Sequence, residues 1–249
     1  PPLLQDLHPG HRGAVPVRGR VFRRWAAVGT ALALSLSLAA CAGETMTAFD
    51  ATAYVKGVLD ETYKGTWDNA FLDLVDLTDG EAKDAYEASL EEEYRRFAYQ
   101  FDLNDSLLTE ETRQSVLDLL TEVAAKAQYT VQQGVALDDT RYAVEVSVRP
   151  MDLFIQVRED ALADFQTEFA AQYADVDLEG RSAEERAELE AEYENAWAAG
   201  IVELCRSRLG LLGYGDVESI LVLVAPDDDG LYTMGDNDFS NLSALILPY

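Results

Sequence analysis

The spacing of apolar residues changes partway along this chain, and the change restricts the fold more than any other feature. Ala82, Tyr86, Leu90, Tyr94, Phe97 and Phe101 recur at steps of three or four, which stacks them on one face of an α-helix. Tyr142, Val144, Val146 and Val148 then fall at alternate positions, which lines one face of a β-strand. A chain with both periods is neither an all-helical bundle nor a β-sandwich. The alternating stretches come in pairs around Asp-rich turns: Tyr129–Val135 and the strand at 142–148 flank "LDDT", and "SILVLVA" and "LYTM" flank "PDDDG". Paired strands read as hairpins rather than as the single strands of an alternating βα fold.

The other segments read as helices with clear punctuation. Val55, Val58, Leu59 and Tyr63 share a face, and Gly65 suits the end of that helix. A shorter apolar-rich segment, 67–77, follows. Thr78 with Glu81, and Ser182 with Glu185, have the spacing of capping boxes. Val116, Leu120, Val123 and Ala127 mark one inward stripe, and Leu162, Phe165, Phe169 and Tyr173 another. Leu189, Tyr193, Trp197, Ile201 and Leu204 run down a long helix to Gly210, and a short apolar tail ends at Tyr249. The expectation is an α+β fold, with several amphipathic helices packed on a small antiparallel sheet made from two β-hairpins. Residues 49–249 are expected to form one domain. The likeness of "VALDDTRY" and "VAPDDDGLY" raises an internal duplication, 49–154 and 155–249, beside the plainer reading that Asp-rich turns are common.

The beginning of the chain has a different character. Arg20, Arg23 and Arg24 precede an apolar run from Ala26 to Leu38. That run is shorter than the roughly 20 residues a membrane span needs and has the layout of an export signal. It closes on Leu38, Ala39, Ala40 and Cys41, which resembles the lipobox of bacterial lipoproteins. The resemblance implies a signal peptide over 21–40, a diacylglyceryl thioether on Cys41 and a lipidated tether over 41–48. Residues 1–20 hold four of the seven prolines, both histidines and no methionine. They read as an upstream segment outside the native product.

Removing the five arginines and one aspartate of residues 1–40 leaves 14 Lys+Arg against 45 Asp+Glu, a net charge of −31. Such a surface repels nucleic acid and anionic headgroups. The membrane is therefore expected to be met through the lipid and not through a protein face.

Both histidines, His8 and His11, precede Cys41. The remainder offers no Ser-His-Asp or Cys-His site and no imidazole for zinc, and no serine is followed three residues later by lysine. Cys205 has no partner for a disulfide once Cys41 carries lipid, and its helical position points to a buried, inert thiol. The glycines of "GLLGYGD" follow a helix and lack dinucleotide-binding spacing. Asp227, Asp229, Asp236 and Asp238 are the one weak set of calcium ligands, since Leu231 breaks the EF-hand pattern. A solvated turn is the plainer reading, and no cofactor is expected.

The order of helices and hairpins, with "FDATAYVKGVLDETYKGTWDNA" near the start and "DDDGLYTMGDNDFSNLSALI" at the end, looks like the uncharacterised lipoproteins of Gram-positive, Clostridia-type bacteria grouped as domains of unknown function. Some of these have cystatin-like or NTF2-like folds. The resemblance implies a location and a fold class but carries over no active site. The functional expectation is a lipid-anchored extracytoplasmic protein that binds a ligand or protein partner without catalysis, the ligand lying between the sheet and the long helices. The alternatives are a structural envelope protein and a carboxylate-dependent hydrolase of wall polysaccharide.

Overall fold

Thr47 starts the first helix. Its hydroxyl accepts from the Asp50 N–H at 3.2 Å, and the Asp50 carboxylate accepts from the Thr47 N–H at 2.9 Å, so two of the donors stranded at a helix start are satisfied. Helix α1 runs over Ala48–Lys64 and ends at Gly65, whose φ of 57° is left-handed. The structure is a computed structural model that describes residues 46–174, 176–177, 180–228 and 230–249. The lipobox and Cys41 lie outside the described residues.

Helices α2 (Asn69–Val75), α3 (Asp79–Gln100) and α4 (Glu110–Ala124) follow α1. The Thr78–Glu81 capping box is formed as the spacing predicts. The α3 stripe is buried at Ala82, Tyr94, Phe97 and Phe101 but only half-buried at Tyr86 and Leu90. On α4, Val116, Leu120 and Val123 are buried, as is Ala127 beyond its end.

The fold is α+β, with an antiparallel sheet of strands β1 (Gln128–Val131), β2 (Val135–Ala136), β3 (Tyr142–Arg149), β4 (Glu218–Pro226) and β5 (Tyr232–Met234). The spatial order is β1-β3-β4-β5, with β2 also paired to β3. The two expected hairpins form and join through β3 and β4, where Val144 lies opposite Val222. Core-facing Tyr142, Val144, Val146 and Val148 are all buried.

Tyr129–Val135 is not one strand. The chain leaves β3 after Gln132, whose N–H still donates to the Glu145 carbonyl at 2.8 Å, and returns at Val135, and Gly134 in between lies under α1. A side chain there would put its Cβ 2.8 Å from the Ala48 carbonyl oxygen, and the Gly134 N–H donates to the Thr52 hydroxyl at 2.8 Å.

After β3 come α5 (Leu153–Gln156), a π-helical turn (Val157–Ala161) and α6 (Leu162–Gln172). The inserted turn, which apolar spacing alone does not foresee, buries both Val157 and Ala161. The long helix α7 (Ala183–Leu209) starts at the Ser182–Glu185 capping box. The apolar tail expected after β5 is instead a helix, α8 (Asp236–Ile246), with Asp236 and Asp238 in its first turn and Leu242 and Ile246 buried one turn apart. Acidic residues suit a helix N-terminus, where the N–H groups leave partial positive charge.

One core joins these elements. The Phe97, Phe101 and Phe154 rings meet with centroids 4.6 to 6.0 Å apart, and the buried Trp197 N–H donates to the Phe101 carbonyl at 2.9 Å. No helix among the described residues is long and apolar enough to cross a membrane.

Candidate functional site: a cleft between three helices

A cleft of about 370 Å³ opens between the C-terminal end of α1, the middle of α3 and one face of α8. It falls among helices, whereas the sequence reading placed a ligand between the sheet and the long helices. The volume suits a small ligand, for which sites run from roughly 300 to 1,000 Å³.

Helical spacing builds each wall. On α3, Tyr86, Leu90, Glu93 and Arg96 lie three or four residues apart and face the cleft. This explains why Tyr86 and Leu90 are less buried than the rest of their stripe. On α8, Asp236, Phe239, Ser240 and Ser243 share the facing side. Tyr63 closes the gap between α1 and α8 by donating its phenol hydrogen to the Ser243 hydroxyl at 3.0 Å. Burial pushes the Tyr63 phenol well up from its ordinary value, so it stays neutral and serves as a donor.

At one end of the cleft the C-terminal Tyr249 locks a charged pair. Its phenol donates to Glu93 Oε1 at 2.5 Å. Arg96 approaches Glu93 Oε2 at 3.4 Å, donates to the Leu247 carbonyl at 2.5 Å and lies 4.8 Å from the Tyr249 ring centre. Tyr249 stacks on Phe154 with centroids 4.6 Å apart. Burial raises the Glu93 carboxyl above its ordinary value, against the opposing pull of Arg96 and Tyr249. The pair is thus held by several partners at once, which fixes its geometry before any ligand arrives.

The lining combines aromatic and aliphatic surface with hydroxyls and acids. Phe239, Leu90 and Tyr86 supply apolar contact, while Ser89 and Ser240 supply adaptable hydrogen bonds. Glu92 and Asp236 are exposed at the mouth, and Glu92 pairs with Arg95 at 2.5 Å. Such a site can hold an amphipathic molecule by shape, stacking and hydrogen bonding.

The described calcium candidates, Asp227, Asp236 and Asp238, do not converge. Asp227 accepts the Leu231 N–H at 2.9 Å and shapes the β4–β5 turn. Asp238 accepts the Leu223 N–H at 2.8 Å from the start of α8. Asp236 sits at the cleft mouth, and Asp229 lies outside the described residues. Among the described residues no three His, Cys, Asp or Glu side chains are grouped to hold a metal ion.

Cys205 is fully buried, and burial pushes its thiol up to about 12. Trp197 is core, while Trp67 is half-buried and donates to Asp79 at 2.8 Å. Sequence reading missed Glu93, Arg96 and Tyr249. The one available signal was an acid and a base three residues apart beside the α3 apolar stripe.

No family model matches this chain, and no curated protein matches it in sequence. A solved structure is similar in fold: that of a candidate lipoprotein, YcdA, from Bacillus subtilis, with a TM-score of 0.51 and 15% sequence identity. The match covers 80% of this chain and 56% of the other, so the chain spans little more than half the length of that relative. At this identity the likeness concerns the fold.

Proposed function

We propose that this chain is a lipid-anchored extracytoplasmic protein that acts as a non-catalytic binding module, with the α1–α3–α8 cleft as its ligand site. The observation that carries the binding role is the cleft itself, an aromatic-lined concavity whose polar end is braced by the Glu93–Arg96–Tyr249 contacts. Pre-formed sites of this kind bind well because little ordering is left to do on association.

Anchoring is supported by the Leu38–Cys41 motif behind its apolar run. The solved relative is itself described as a candidate lipoprotein, which agrees with that reading. Two acyl chains suffice for stable attachment, at about 0.8 kcal/mol per buried CH₂.

The test is a thermal-shift screen of residues 46–249, which contain the whole described core, against wall oligosaccharides and short peptides. A saturable rise in melting temperature, lost in Phe239→Ala, supports the reading. Flat titrations throughout would remove it in favour of a structural envelope role. Wall fragments shortened by wild type but not by Glu93→Gln would replace it with hydrolysis.

A further inference from the structure

Five exposed apolar residues lie close to the place where the chain enters the described fold. Successive side chains on a strand face opposite ways, so Ala143, Leu221 and Leu223 point away from the core, opposite in direction to Val144, Val222 and Val224. Register places Val135, Ala143 and Leu223 side by side across β2, β3 and β4, a row about 10 Å wide at the usual strand spacing. Val135 is 63% exposed, Leu221 65% and Leu223 38%. Leu137 follows Val135 by two residues and is exposed as well. Among the described residues, Val135, Leu137, Leu221 and Leu223 are left open to solvent, while Ala143 between them is buried.

The entry point adjoins that row. Gly134, the neighbour of Val135, touches Ala48 and bonds to Thr52 of α1. Phe49, beside Ala48, is 74% exposed. The Tyr142 phenol, on the core-facing side of β3, donates to the Met46 carbonyl, so the chain enters at this end of the sheet from the core side. Five residue steps separate Cys41 from Met46, a reach of at most about 18 Å fully extended. A lipid on Cys41 therefore holds this corner near the bilayer.

We infer that the outer face of the sheet around Val135, Leu137, Leu221 and Leu223 rests on the lipid surface and fixes how the protein stands on the membrane. The inference builds on the anchoring part of the proposed function. It departs from the expectation, drawn from net charge, that lipid alone makes the contact, because apolar side chains enter the interface by burial and not by charge. The cleft sits at the other end of α1, a helix of 17 residues and about 26 Å.

The experiment uses the full lipidated chain reconstituted in phosphatidylcholine vesicles, which carry no net charge. The fluorophore NBD is attached at Val135→Cys, at Leu223→Cys or at Lys83→Cys; Lys83 lies on α3 near the cleft end, and buried Cys205 stays unlabelled. Anchoring is read separately by flotation, with Cys41→Ser as its control. The expected result is a blue-shifted emission at positions 135 and 223 that nitroxide-labelled lipid quenches several-fold, with position 83 unquenched. Vesicle-bound protein whose labels at 135 and 223 remain water-like overturns the docking face and leaves anchoring intact. A blue shift that lipid nitroxide does not quench means a second copy covers the face, which also overturns it. Wild-type protein that floats no better than Cys41→Ser defeats the anchoring reading itself.

Discussion

Tyr249, the last residue of the sequence, donates its phenol hydrogen to Glu93 at 2.5 Å across 156 positions. The contact ties the C-terminal residue to the middle of α3 and supports one end of the cleft. Tyr249→Phe keeps the ring on Phe154 but removes the donor from a largely enclosed carboxylate. We expect a loss of about 1–2 kcal/mol in urea unfolding. Arg96→Leu is expected to cost more, about 2–4 kcal/mol, because it leaves the Glu93 charge without its counter-ion. Equal stability of Tyr249→Phe and wild type would mean that the bond contributes nothing.

Glu61 gives the fold a pH dependence. Its side chain is 1% exposed, and Oε1 has no hydrogen-bond partner. Burial raises its carboxyl from 4.5 to about 7, with the Thr62 hydroxyl pulling weakly the other way. Between these two values the folded chain keeps a proton that the unfolded chain has released. The stabilisation is thus complete below pH 4.5 and is lost as pH rises through about 7. The span corresponds to about 3 kcal/mol. Urea midpoints taken from pH 4 to 8 should fall less steeply for Glu61→Gln than for wild type. Parallel curves would show that Glu61 does not titrate in this window.

Two helical glycines separate packing from propensity. A Cβ on Gly57 would lie 2.0 Å from the Phe71 ring, so Gly57→Ala forces that buried ring to move. The expected cost is about 1–3 kcal/mol. At Gly80 the nearest atom to a new Cβ is 3.9 Å away, so Gly80→Ala should gain up to about 1 kcal/mol from helix propensity. The two variants are expected to shift the melting temperature in opposite directions. A neutral Gly57→Ala would show that Phe71 yields freely.

Fold class was legible because each element announces its own period and caps. Val144 and Val148 alternate, Thr78 and Ser182 stand three residues before an acid, and the structure uses all four as read. Gly134 was not legible, since only the approach of α1, more than 70 residues earlier, makes a side chain there too large. Helix α8 was legible in principle from the acids of its first turn and the one-turn spacing of Leu242 and Ile246, but the preceding Asp-rich turn masked its start. The cleft was the least visible feature. Its walls come from three helices far apart in sequence, and Glu93 and Arg96 look like ordinary surface charges until Tyr249 is seen to reach them.

Cys205 should be inert. It is 0% exposed on α7, and burial pushes its thiol up to about 12, so little thiolate exists to react at neutral pH. In a Cys41→Ser background, where Cys205 is the one remaining cysteine, a thiol reagent should label slowly in buffer and rapidly in denaturant. Labelling at the same rate in both would contradict the burial.

Salt and calcium should act on this protein through screening and not through a site. A net charge of −31 after residue 40 makes self-repulsion a general destabilising load. Sodium chloride shortens the reach of that repulsion, to about 10 Å at 0.1 M, and should raise the melting temperature smoothly. Calcium would need several carboxylates turned toward one point, and two of the candidates, Asp227 and Asp238, are committed elsewhere. Asp227 holds the Leu231 N–H at 2.9 Å and Asp238 the Leu223 N–H at 2.8 Å. Binding would have to break these two contacts and leave the freed Leu231 and Leu223 N–H groups to find new acceptors. Sodium and calcium titrations at equal ionic strength are therefore expected to give nearly the same shift. A specific site would add a saturable term that grows as RT ln(1 + [L]/Kd). A rise of several degrees seen only with calcium, and absent from Asp227→Asn or Asp236→Asn, would show that the β4–β5 turn and the start of α8 rearrange into a metal site.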